Sequence, residues 1–193
     1  MNGLERTWTV LKGGIPDRLP VDLHNFMMTA HSSGQPFSEF FQDGEAMAEG
    51  QINAWREFGH DVLLVENGTA ALAEACGCEV EYLEESAPVS HGPAIKSLDD
   101  LDKLTVPDPY KIHPLKENLK ATRIISQEIG DKVFVIGRAD QGPFSLAAMI
   151  LGMEEFLYQL GRTQQKKSKR RRESREDPDL ENNLRQLLEF SLE

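Results

Sequence analysis

Two short runs, Val62–Val65 (VLLV) and residues 132–137 (KVFVIG, apolar after Lys132), each lead straight into polar residues at their C-terminal ends. A strand apolar on both faces needs cover on both. In soluble proteins helical crossovers between parallel strands supply it. A weaker strand signal precedes them at Pro20–Leu23, within RLPVDLHNF, where Pro20 suits a strand start. Between the strands lie helical patterns. Phe37, Phe40, Phe41, Met47, Ile52, Trp55 and Phe58 recur at mostly helical spacing, as one long helix or as two interrupted near QDGE. TAALAEACG reads as a helix ending at Gly77, and CEVEYLEE as a short strand or edge segment. Ser97 is placed as an N-cap for SLDDLDKL. Leu115–Ile129 is amphipathic and stops at Gly130; 143–160 is helical with Gly152 inside, and 179–193 is helical again. MTAHSSGQP reads as a polar loop, and the three prolines of VPDPYKIHP exclude regular structure there. Strands alternating with helices define an α/β fold with parallel strands and long helical crossovers.

Ligands of parallel α/β folds bind at the carboxyl ends of the strands, where the following loops converge. The first strand leads to Asp22, His24 and Asn25, the second to Glu66 and Asn67, the third to Arg138, Asp140 and Gln141. Any one of these could be a turn residue or half of an ion pair. Their recurrence at three strand ends marks one rim as the candidate site. The residues assigned to it are Glu66 and Asp140 as catalytic groups, with His24, Asn25, Asn67, Arg138 and Gln141 binding substrate. His60 precedes a strand, at the end away from that rim, and His91 and His113 read as solvated loop residues.

The chain has 193 residues, 39% hydrophobic and 27% charged, with a net charge of −11. That charge is uneven. Residues 161–175 (GRTQQKKSKRRRESR) hold eight Lys/Arg and one Glu, against 13 Lys/Arg and 31 Asp/Glu elsewhere. An acidic body does not attract nucleic acid through its general field. The basic run also lacks aromatics for base stacking, and it reads as an inert insert that makes few contacts with the core. No apolar run approaches the roughly 18 residues needed to span a membrane. The first residues also lack the pattern of a secretory signal, so the expectation is a cytoplasmic protein without membrane contact. Cys76 and Cys78 read as free thiols, and no Walker loop, GxGxxG or HExxH motif is present.

Three segments carry a resemblance: DVLLVENGTAALAEACGCEVEY, PAIKSLDDLDKLTVPDP and VFVIGRADQGPFSLAAMILGMEEFL. They resemble the uroporphyrinogen decarboxylase superfamily, which includes decarboxylases of haem synthesis and methyltransferases that move a methyl group between a corrinoid protein and a thiol such as coenzyme M. The resemblance runs from about Arg18 to Leu160 and resumes at EDPDLENNLRQLLEFSLE. It implies a TIM (β/α)8 barrel nearly twice this length, of which this chain is the N-terminal half. The implied division is 1–160 as barrel, 161–175 as basic insert and 176–193 as the C-terminal helix of the partial barrel. An open sheet edge would favour aggregation or a homodimer.

The branch is read from what replaces the family's motifs. Decarboxylases carry an arginine-rich MRQAGRY segment after the first strand; here that place is DLHNFMMTAHSSG, without arginine. They place an aspartate, in FSDIL, after the second strand; here VENGTA offers Glu66. A porphyrinogen bears eight carboxylates, and Arg138 alone is thin provision for them. The resemblance therefore leans to the methyltransferases, with a small-molecule or corrinoid substrate and a corrinoid protein as partner. Their zinc ligands lie in the second half of the barrel, so neither zinc nor any other cofactor is assigned to this chain. Two alternatives stand beside this reading: uroporphyrinogen decarboxylation proper, and a truncated chain that at most binds.

Overall fold

The computed structural model describes residues 1–24, 26–138, 141–169 and 178–192. In chain order the elements are α1 (Gly3–Leu11), α2 (Phe26–Ser33), α3 (Phe37–Phe40), α4 (Gly44–Phe58), β1 (Val62–Val65), α5 (Ala71–Ala75), β2 (Glu79–Glu81) and β3 (Val89–Gly92). A 3-10 helix follows at Leu98–Lys103. Then come α6 (Leu115–Ile129), β4 (Phe134–Gly137), α7 (Pro143–Leu151), α8 (Met153–Lys169) and α9 (Pro178–Phe190). No helix among the described residues is long and apolar enough to cross a membrane. The chain forms two compact units, the first comprising 1–71, 82–89 and 108–140, the second 72–81, 90–107 and 141–193.

The first unit is built on β1 and β4, which pair in parallel with Val62 opposite Phe134 and Val65 opposite Gly137. On the other side of β1 a parallel bridge joins Asp22 to Val62. The expected first strand, Pro20–Leu23, is thus reduced to a single bridge. Phe40, Phe41, Met47, Ile52, Leu63, Val65, Ile125, Ile129 and Val133 form the core of this unit. Phe41 collects Phe26, Phe37 and Phe40 edge-on at ring separations of 5.5–5.9 Å. Such pairs add specificity to apolar burial.

The 36–58 pattern resolves into two helices, because Asp43 caps α4 by accepting the Glu45 N–H at 2.8 Å. Gly59, at φ 63°, ends α4 in the left-handed region and turns the chain directly into β1. MTAHSSGQP is not a loop throughout. All but its last three residues belong to α2, which buries Thr29 and Ala30. Packing there overrides the weak helix propensity of Thr, Ser and His. α1 is closed by a capping box, with Asn2 Oδ1 accepting the Glu5 N–H and Glu5 accepting the Asn2 N–H.

In the second unit β2 pairs with β3. Leu146, Ile150, Leu151, Phe156, Leu184 and Leu187 form its core with Ile95 and Leu98. The single helix expected over 143–160 is two, because Gly152 sits at φ 88° and interrupts the ladder. α8 then runs past Leu160 to Lys169, so the basic segment begins as helix. Residues 170–177, which carry the rest of that segment, lie outside the described residues.

Candidate functional site

β1 ends at Val65, and Glu66 follows it into the interior. The Glu66 side chain is 1% exposed and carries two partners. Arg138, directly after β4, donates from Nη1 to Oε2. The parallel register brings the two residues side by side, and the Arg138 N–H also bonds the Val65 carbonyl at 3.2 Å. On the other side His24 Nε2 lies 2.8 Å from Glu66 Oε1. The imidazole is about half exposed and Arg138 one-quarter exposed. A carboxylate held by a guanidinium accepts, so His24 Nε2 carries the hydrogen in this bond. In the neutral ring Nδ1 then keeps the lone pair and can act as an acceptor, while Glu66 fixes the orientation of the imidazole. Phe26 supports the ring at 5.8 Å.

Asn67 is also buried, and its amide is engaged at both ends. Nδ2 donates to the Pro114 carbonyl at 3.2 Å, and Oδ1 accepts from Asn118 Nδ2 at 3.0 Å. This ties the end of β1 to the first turn of α6. Asn25 and Asp140 lie outside the described residues, and Gln141 belongs to the second unit. The structure therefore brings together His24, Glu66 and Arg138, with Asn67 beside them in the chain. Among the described residues no three His, Cys, Asp or Glu side chains converge as a metal ion would require.

The opposite end of β1 holds a second charged cluster that sequence reasoning missed. Asp61, immediately before the strand, is buried and accepts from Arg6, from Arg18 and from the Val21 N–H. Burial pushes the Asp61 carboxyl up, but these three donors hold it below the usual carboxylate range. Arg6 reaches Asp17 as well, through Nε at 2.7 Å and Nη2 at 2.8 Å. His60, next to Asp61, is 3% exposed, and burial pushes its imidazole down from the ordinary value. The thiols are free, Cys76 partly buried and Cys78 buried. Burial, with Cys78 beside it, pushes Cys76 up to about 11.

An α/β fold of parallel strands with a buried, ion-paired carboxylate at the strand ends defines the class. The description Uroporphyrinogen decarboxylase (URO-D) matches residues 2–170, and the chain belongs to that family. No curated protein matches the sequence. Among solved structures, a methyltransferase from Methanosarcina mazei aligns with a TM-score of 0.75 at 21% identity, over 99% of this chain and 52% of that one. The chain thus spans about half the length of that structure, and the likeness is one of fold.

Proposed function

We propose that this chain is the first half of a URO-D-family (β/α)8 barrel whose strand-end rim serves methyl transfer to a thiol, with a corrinoid protein delivering the methyl group. The observation that carries this reading is the commitment of Arg138 to Glu66. A porphyrinogen substrate asks for cations facing its carboxylates. Arg138 instead neutralises a carboxylate of its own chain, and the segment from His24 to Gly34 contains no arginine. The His24–Glu66 pair suits the other chemistry. The thiol sulfur forms the new bond to the methyl carbon as the methyl–cobalt bond of the corrinoid substrate breaks, its electron pair staying with the departing corrinoid; the thiol proton passes to the imidazole, which Glu66 orients. The succession of Asp22, β1 and β4 in parallel order supports their assignment as the first three barrel strands. The alignment with a methyltransferase is in keeping with this branch.

The test is product analysis on the full gene product supplied in turn with two substrate sets. Methylcobalamin with 2-mercaptoethanesulfonate should give the S-methyl thioether. Carbon dioxide released from uroporphyrinogen instead would contradict methyl transfer and select decarboxylation. Binding without either reaction would select a binding role.

A further inference from the structure

The N-terminal arm, residues 1–21, is attached to the first unit almost wholly by polar groups. α1 buries Gly3, Arg6 and Thr7 and no large apolar side chain. Leu11, Ile15 and Leu19 are 61%, 93% and 78% exposed. The attachments are the Leu4 N–H on the Lys132 carbonyl at 3.1 Å, Asn2 Nδ2 on the Asp131 carbonyl at 3.0 Å, and the Trp8 ring edge-on to Phe134 at 5.4 Å. Above all there are Arg6 and Arg18, both donating to Asp61; Arg18 does so at 2.5 and 3.0 Å. An arm held by charge rather than by apolar burial answers to protonation and salt.

Beside the carboxylate on which both arginines depend lies His60. It is 97% withdrawn from solvent, and neither ring nitrogen has a hydrogen-bond partner. We propose that His60 makes the arm an acid-released latch, closed while the imidazole is neutral and opened when it takes a proton. A neutral ring can remain there, but a buried imidazolium without an acceptor is strongly disfavoured. The acidic groups whose fields reach it are Asp22 and Asp61. Asp61 already serves Arg6 from α1, Arg18 from the loop after it, and the Val21 N–H. A protonated His60 must draw Asp61 away from the arginines or turn out to solvent. Arg6 and Arg18 repel the new charge in either case. The first route undoes the arm's main attachment, and both leave the apolar core of β1, α4 and α6 intact.

The direction in pH follows. The latched imidazole binds its proton less readily than a free one, so the open state takes up more protons as pH falls below about 6.5. Latching is complete above that value and is lost below it. Asp61 and Asp17, whose carboxyls are both held low, act separately, near and below about 4.

The experiment is hydrogen exchange on the 193-residue chain between pH 7.5 and 4.5, corrected for intrinsic exchange, with Trp8 fluorescence in parallel. A latch whose closed state stays unprotonated predicts that opening of Leu4 and Arg6 amides rises about tenfold at pH 5.5. Ile125 and Leu63 amides should stay protected. His60→Leu and His60→Gln, which cannot titrate, should abolish this rise and leave only the carboxylate window. An arm that opens with the core, or an unchanged rise in a folded His60 variant, overturns the proposal. If neither variant folds, the wild-type comparison of Leu4 with Ile125 decides alone.

Discussion

Replacing Arg138 with Met isolates the energetics of the site, because it keeps most of the side-chain volume and removes the charge. Glu66 is then left buried with His24 as its remaining partner. Removing one member of a fully buried ion pair costs about 3–5 kcal/mol, mostly for the stranded charge. Arg138 is one-quarter exposed, and the His24 bond at 2.8 Å survives the change. The expected loss is therefore lower, about 2–3 kcal/mol. Adding Glu66→Gln removes the stranded charge, so the double variant should be more stable than Arg138→Met alone, with a coupling of about 2 kcal/mol. Urea unfolding followed by tryptophan fluorescence suits the measurement, since Trp8 and Trp55 both lie in the unit that contains Glu66 and Arg138. An Arg138→Met variant within about 0.5 kcal/mol of the parent, the usual range for surface changes, would show that Arg138 does not compensate a buried Glu66 charge.

Leu63→Ala should cost about 2–5 kcal/mol in the same assay, because Leu63 is fully buried in the β1 core. Asn118→Ala should cost about 1–2 kcal/mol by leaving the buried Asn67 Oδ1 without its donor. With Cys76 pushed up to about 11, native thiol reaction with a disulfide reagent at pH 8 should be far slower than in urea, where the ordinary value returns; equal rates would show that the thiol is not buried.

What could be read from the residues alone follows physical lines. VLLV was legible as a strand because cover on both faces leaves a continuous apolar run, and β1 matches the expected span; the strand expected over 132–137 begins only at Phe134, and its residues are half-buried to exposed. α6 was legible to the residue because its 3.6-residue period runs uninterrupted between a proline and a glycine. α2 was not, since His31, Ser32 and Ser33 have loop-like propensity and the helix is held by tertiary burial of Thr29 and Ala30. α1 carries a local signal in the Asn2–Glu5 capping box. β3 alternates exposed and half-buried positions over four residues, too few to mark a period.

At the site, residues placed at strand ends could be anticipated. That Glu66 would take Arg138 on one oxygen and His24 on the other depended on register, which pairs residues 72 apart. The Arg6–Asp61–Arg18 cluster had no local signature for the same reason. Its members meet only because the arm returns to the start of β1.

Chemical-shift mapping decides whether substrate binds at the rim around Glu66 and whether the proposed methyl transfer is its chemistry. Isotope-labelled chain is titrated in parallel with methylcobalamin and with uroporphyrinogen. Methylcobalamin should perturb the His24 ring and the Glu66, Asn67 and Arg138 amides while His60 and Asp61, at the far end of β1, stay unmoved. Glu66→Gln should weaken the effect. Perturbations centred on His60 and Asp61, or a rim that responds to uroporphyrinogen and not to methylcobalamin, would contradict it.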